Sequence, residues 1–222
     1  AINPRQPGSS IKPLGVYGAA LQKSFDAASS GNTLTFQSVG KQGTKLYGNY
    51  LTAASIIDDE PTMFEGRIWP QNSYGGYHGL YTMRGALQQS VNVCAVKIFQ
   101  QVGADYSSQL VKKFGVSTIV DSGDVNDMNA AALALGGMTK GVTALDMANA
   151  YTAFPNGGVN HKSSSYTKVL NRKGEIVLEK KPKATKVLDE GVAFIMTDML
   201  KSVVSQGIGS PAAISGVQTG GK

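Results

Sequence analysis

Residues 8–25 read GSSIKPLGVYGAALQKSF, and no other stretch of the 222-residue chain constrains its architecture as tightly. From Leu14 onward the run is small and apolar on most faces, which fits a helix buried on several sides rather than one laid on a surface. Its start carries Ser9 and Lys12 three positions apart. Residues i and i+3 of a helix share a face, so the Ser9 hydroxyl and the Lys12 amine come within hydrogen-bond reach while Ser10 points elsewhere. Pro13 is tolerated so early because backbone donors at a helix start lack intrahelical partners. The same helix start offers N–H groups and the positive dipole end to a developing oxyanion. A lysine that accepts a proton must be neutral, so its usual pKa of about 10.4 has to fall by roughly 3 for that form to dominate near neutral pH. Burial and a nearby positive charge both push in that direction. A Ser-His-Asp triad is poorly supplied, since the only histidines, His78 and His161, lie in Gly- or Asn-containing loops and read as surface or structural residues.

Working outward, residues 26–79 are rich in Gly, Ser, Thr, Asn and Asp with short β-prone pieces such as TLTF and KLYGNYL, and read as an excursion of loops and short strands. TMRGALQQ is then helical, the polar tripeptide Ser90-Val91-Asn92 interrupts, and VCAVKIFQQVG resumes a helix that stops at Gly103. ADYSSQLVKKFG predicts a short helix, and MNAAALALGGMTKGVTALDMANAYTAFPNGG alternates helix, glycine pivot and helix before a turn at 155–158. SSYTKVLNRKGEIVLE, residues 164–179, predicts a β-hairpin, and VLDEGVAFIMTDMLKSVVSQG a long amphipathic helix. The last stretch, ISGVQTGGK, reads as an edge strand ending in Gly221-Lys222. No repeat at solenoid spacing and no interdomain linker is visible.

With 41% hydrophobic and 16% charged residues, the chain fits one large domain or two intimately packed lobes. No apolar run approaches the roughly 20 residues needed to cross a bilayer, and no signal core follows a basic amino terminus. The formal charge of +6 is scattered except in KGEIVLEKKPKATK, residues 173–186, which lacks the interleaved aromatics of a nucleic-acid surface and reads as a solvated face. Nucleic acid is not an expected partner. The single Cys94 excludes an internal disulfide and a CxxC zinc pattern, and VNVCAVKIF makes it a buried helical thiol. No metal or other cofactor is expected. Gly136-Gly137 and Gly157-Gly158 read as turn formers, whereas Trp69, Tyr74, Tyr77 and Tyr81 either line a cleft or pack in core and loops.

Ser-x-x-Lys alone arises often by chance, and Ser90 with Asn92 alone would read as a helix cap. Together with a following Lys-Thr-Gly, these elements form the motif set of penicillin-binding proteins and serine β-lactamases. The chain resembles the transpeptidase domain of class A penicillin-binding proteins through RQPGSSIKP, WPQN, YTMRGALQQSVNVCAVK, ALALGGMTKGVTALDMANAYTAFPNGG and MLKSVVSQGIGSPAAISGVQTGGK, in family order. The resemblance implies an α+β fold of penicillin-binding/β-lactamase type, with an antiparallel sheet flanked by helices and a helical lobe, residues 1–222 forming a transpeptidase domain fragment. It implies Ser9 as nucleophile, Lys12 as proton acceptor, Ser90 as proton relay and Asn92 as a hydrogen-bond partner of substrate amide and Lys12. Lys222 is identified with the first residue of Lys-Thr-Gly, attracting the substrate carboxylate and depressing the pKa of Lys12. Gln218-Thr219-Gly220 is the substituted alternative, less fitting because Gly221 follows where the family has a small hydroxyl residue.

The implied activity is peptidoglycan cross-linking through an acyl-enzyme on Ser9 made from D-Ala-D-Ala stem peptides, with β-lactams as acylating inhibitors. The implied setting is the extracytoplasmic face of the bacterial membrane, anchored through segments outside this chain. A β-lactam sensor, a serine β-lactamase and a DD-carboxypeptidase are the alternatives. The Glu-x-x-Leu-Asn pattern of class A β-lactamases is absent from the sequence, so a stable acyl-enzyme is expected. Because family strands flank the motifs on both sides, complementary fragments of the same protein are also expected as partners, supplying strands beside ISGVQTGGK.

Overall fold

A computed structural model describes residues 2–40, 43–64 and 66–222, so positions 41, 42 and 65 of the 26–79 excursion lie outside the described residues. In chain order, a 3-10 turn Gly8–Ile11 and a π-helical turn Pro13–Tyr17 run into helix α1 (Gly18–Ser29). Strands β1 (Phe36–Gly40), β2 (Gly43–Gly48), β3 (Ile56–Asp59), β4 (Met63–Phe64), β5 (Arg67–Ile68) and β6 (Gly79–Thr82) follow. Then come helices α2 (Met83–Gln88), α3 (Asn92–Val102), α4 (Ala104–Lys113), α5 (Ala130–Leu133) and α6 (Ala144–Tyr151). Strands β7 (Val159–His161), β8 (Lys168–Leu170), β9 (Ile176–Glu179) and β10 (Ala184–Lys186) precede the long helix α7 (Glu190–Gln206).

The expected α+β character is present, with a helical lobe and strands that pair, among the described residues, as five two-stranded antiparallel ribbons. The ribbon β8–β9 is the hairpin expected around NRKG, and residues 173–184 are exposed, as a solvated face requires. Two expectations change. The excursion begins later than residue 26, because α1 continues to Ser29. ISGVQTGGK forms no strand, since a strand needs a hydrogen-bonding neighbour and the backbone there makes only local turn bonds and one bond from Gly221 N–H to the Leu200 carbonyl, 3.2 Å.

Residues 11–22 of this run are the buried centre, as its composition implies. Ile11, Leu14, Val16, Tyr17, Ala19 and Ala20 have no exposed surface, and α1 packs against α3, α4 and α7. Fully burying a side chain such as Leu14 is worth about 1.5–3 kcal/mol. It is not one uniform helix, however. Pro13 has no N–H to continue the ladder, and the chain widens so that Gly18 N–H reaches the Pro13 carbonyl before regular α-helix begins. α7 buries Val192, Met196, Met199 and Val203 at helical spacing and leaves Phe194 on its outer face. Sequence punctuation explains the other termini: Thr82, Asn129, Thr143 and Asp189 cap α2, α5, α6 and α7 with side-chain oxygens. Lys23 places its ammonium on the Gln101 and Val102 carbonyls at the end of α3, 3.1 and 2.8 Å away, where a cation complements the helix dipole.

Candidate active site

The approach to Ser9 is held by backbone. Arg5 and Val142 exchange hydrogen bonds of 3.0 and 2.7 Å, tying the strand-like lead-in to the GGMTKGVT segment. Two glycines make that contact possible. A Cβ on Gly136 would lie 2.2 Å from the Gly8 carbonyl oxygen and one on Gly141 2.6 Å from that of Arg5, and both residues have positive φ, +81° and +71°. Gly136 is therefore needed for close backbone approach as well as for the turn expected from sequence. Tyr151 of α6 donates its hydroxyl to the Ser10 carbonyl at 2.7 Å, pinning the other side of the segment.

Ser9 and Lys12 lie on the 3-10 turn and its C-terminal boundary rather than on an α-helix, and three-residue spacing still aligns them because a 3-10 helix repeats every three residues. The Ser10 hydroxyl bonds back to the Pro7 carbonyl at 2.7 Å, so it faces away from the amine. The Ser9 hydroxyl makes no hydrogen bond among the described residues, and the expected bond to Lys12 is absent. Lys12 has no exposed surface and turns its amine to the interruption between α2 and α3. Its Nζ donates to the Ser90 carbonyl at 2.7 Å, to Ser90 Oγ at 3.2 Å and to Asn92 Oδ1 at 2.7 Å. Three acceptors match the three protons of an ammonium.

Burial, followed by the charge of Lys222, lowers the pKa of Lys12 from 10.5 to about 7. Burial also lowers that of Lys222, to about 8. Burial is the first cause at both, and Lys12, the more deeply buried, also feels the charge of Lys222. Gln218, the alternative start of the substituted motif, instead accepts a hydrogen bond from Lys201 at 2.7 Å on the exposed side of α7.

Ser90 is held at φ +57°, the only non-glycine residue with positive φ among those described, which directs both its carbonyl and its hydroxyl at Lys12. Such a backbone costs roughly 1–2 kcal/mol and persists where the surroundings impose it. Neither Ser90 nor Asn92 caps α3 with its side chain, so the simple helix-cap reading of the tripeptide fails. The cap comes from Asn72, twenty residues upstream, whose Oδ1 accepts from Asn92 N at 2.9 Å and Val93 N at 3.3 Å. Gln71 adds its carbonyl, which accepts from Asn92 Nδ2 at 2.8 Å. Sequence reading marked WPQN only as part of a family pattern; no local signal says that an asparagine will cap a distant helix.

Of the aromatic group before α2, Trp69, Tyr77 and Tyr81 pack against the core and Tyr74 packs within its loop. Trp69 tilts against Phe64 with ring centres 5.0 Å apart, and Tyr74 stacks on His78 at 4.4 Å. His78 and His161 are exposed, and neither side chain bonds Lys12, Ser90 or Asn92 among the described residues. Cys94 is buried and free, its thiol pushed strongly up by burial. Among the described residues no group of three or more potential metal ligands occurs, and no helix is long and apolar enough to cross a membrane.

Comparison with known proteins gives the family. A family profile described as "Penicillin binding protein transpeptidase domain" matches residues 49–222. The chain belongs to that family. The likeness to relatives extends past the profile's start: Penicillin-binding protein 1A of Clostridium botulinum is 35% identical over 221 residues, covering 98% of this chain, a span that takes in Ser9 and Lys12, and 24% of the relative. Penicillin-binding protein 1A of Clostridium tetani is 40% identical over 207 residues, covering 90% of this chain and 23% of the relative. The chain thus spans about a quarter of the length of these relatives. The D,D-transpeptidase domain of peptidoglycan glycosyltransferase from Eggerthella lenta superposes with a TM-score of 0.72 at 22% identity, over 99% of this chain and 53% of that one, which establishes the shared transpeptidase fold.

Proposed function

We propose that this domain is the acylating centre of a peptidoglycan DD-transpeptidase, with Ser9 as nucleophile and Lys12 as its base. The observation that carries the reading is the buried Lys12 amine, lowered to about 7, three residues after a serine whose hydroxyl is uncommitted, and bonded to both Ser90 and Asn92. Neutral Lys12 takes the Ser9 proton as Oγ attacks the carbonyl carbon of the penultimate D-Ala. The tetrahedral adduct collapses by breaking the C–N bond, and Ser90 passes a proton from Lys12 to the departing D-Ala amine. An amine of a second stem peptide then attacks the ester and its excess proton returns through the same groups, releasing Ser9. Lys222, half-buried, supplies positive charge for the substrate carboxylate, while Asn92 orients the substrate amide. β-lactams enter by the first step, and opening of the lactam ring keeps the leaving amine attached. Family membership favours stem peptides and β-lactams as ligands and the extracytoplasmic face of the bacterial membrane as the place of action.

The test is intact mass after exposure to penicillin, with peptide mapping, followed by transfer to an amine acceptor. One adduct on Ser9 that disappears in Ser9→Ala and remains in Ser10→Ala, with acyl transfer to the amine, supports the reading. An adduct on Ser10 defeats the nucleophile assignment; acylation without transfer identifies a sensor; rapid hydrolysis identifies a β-lactamase.

A further inference from the structure

Segment 56–82 grips the Asn92 end of α3 from two directions. Asp59, at the end of β3, is only 1% exposed. Its Oδ1 accepts from Asn72 Nδ2 at 2.7 Å, and its Oδ2 accepts from the Tyr74 hydroxyl at 2.6 Å and from His78 N at 2.9 Å. The second Asn72 amide proton goes to the Gly76 carbonyl at 3.1 Å. With both protons committed, Asn72 has one sense only: turning the amide over would set its oxygen against a carboxylate and its NH2 against the N–H groups of α3. Val91, the residue before α3, has no side-chain oxygen to replace this cap. Farther along α3 the buried Lys97 donates to the Asp58 carbonyl at 2.9 Å and pairs with Glu60 at 3.4 Å. The residues on either side of Asp59 are thereby clamped to the helix whose first residue bonds Lys12.

We propose that Asp59, acting through Asn72, is a positioning residue that holds Asn92 against the Lys12 amine and so sets the rate of Ser9 acylation. This rests on the reading of Ser9 and Lys12 as the acylating pair. Asp59 and Asn72 touch no reacting atom; their effect passes through the location of Asn92. Displacing Asn92 by about 1 Å is enough to lose on the order of 10²-fold in rate.

The pair allows a polarity exchange. Asn72→Asp keeps an oxygen on α3 but sets two carboxylates face to face. Asp59→Asn sets its NH2 either against that of Asn72 or against the His78 N–H, whichever way it turns, or inverts Asn72. The double variant, Asp59→Asn combined with Asn72→Asp, restores a donor facing an acceptor between positions 59 and 72, and forgoes only the bond to the Gly76 carbonyl. The oxygen of the introduced amide is then left for Tyr74 and His78, and one oxygen of the introduced carboxylate is left for α3. Acylation by a fluorescent penicillin is measured in the full chain, well below each variant's melting temperature, resolving the acylation rate constant k2 from the initial binding constant. The expected result is that both single variants lose on the order of 10²-fold in k2, with binding little changed, and that the double variant recovers to within a few-fold of wild type. Single variants that fold and acylate at the wild-type rate, or a folded double variant as slow as the singles, overturn the proposal. The double variant can be read even where a single variant fails to fold. A wild type unlabelled at Ser9 sinks the acylating-pair reading and this proposal with it, whereas normal wild-type labelling beside unaffected variants sinks this proposal alone.

Discussion

Replacing Lys12 by Met removes a titration that the structure ties to stability. The sign follows from proton counting. Below pH 7 the folded and unfolded chains both carry the Lys12 proton, and the folded state bears the full cost of a buried ammonium. Between about 7 and 10.5 the unfolded chain holds the proton and the folded chain has released it, so the cost shrinks as pH rises. Above both values it is gone. At 1.36 kcal/mol for each unit between the two pKa values, the cost is about 4 to 5 kcal/mol at pH 6 and about 2 at pH 9. The free energy of unfolding of the wild type therefore gains about 2 to 3 kcal/mol relative to Lys12→Met between those pH values. The comparison cancels groups that titrate alike in both proteins, including the burial-driven shift of Lys222. Urea denaturation followed by circular dichroism measures it. In the wild type the rate of penicillin acylation should fall about tenfold per pH unit below 7, while Lys12→Met loses about 10²–10⁴-fold above pH 7, where the wild-type amine is neutral, and lacks that acidic limb. A wild-type-minus-variant difference that stays flat from pH 6 to pH 9 refutes the depressed amine, and with it the assignment of Lys12 as base.

Three further outcomes follow from the same geometry. Lys222→Met removes the second cause of the lowered Lys12 pKa, so the acidic limb of the acylation profile moves to higher pH; an unmoved limb shows that burial alone sets it. Gly136→Ala forces a Cβ into the Gly8 backbone at positive φ and costs at least about 1–3 kcal/mol, lowering the thermal midpoint by several degrees and slowing acylation; unchanged melting counters the close-approach reading. Tyr17 buries a hydroxyl with no partner among the described residues, so Tyr17→Phe leaves stability unchanged or raises it by about 1 kcal/mol in thermal unfolding, and a loss of that size shows that the hydroxyl is satisfied.

The helices from α1 to α7 were legible because a helix closes its hydrogen bonds four residues away and writes its buried face into local spacing: the small apolar run after Lys12, the amphipathic stretch that became α7, and the stop at Gly103. The alignment of Ser9 with Lys12, and the turning aside of Ser10, follow from the same periodicity even though the turn proved 3-10 rather than α. Local pattern could not settle whether ISGVQTGGK forms a strand, because a strand's bonds are made to another segment. Nor could it show that Lys12 would meet Ser90 and Asn92 across 78 and 80 positions of chain, that Ser90 would adopt a left-handed backbone, or that Asn72 would cap α3 under the control of Asp59. Desolvation and through-space hydrogen bonding depend on what surrounds a group in three dimensions. The sequence by itself named the serine and the lysine; only the tertiary structure made that lysine a base near neutral pH, by stripping water from its amine and setting a second positive charge nearby.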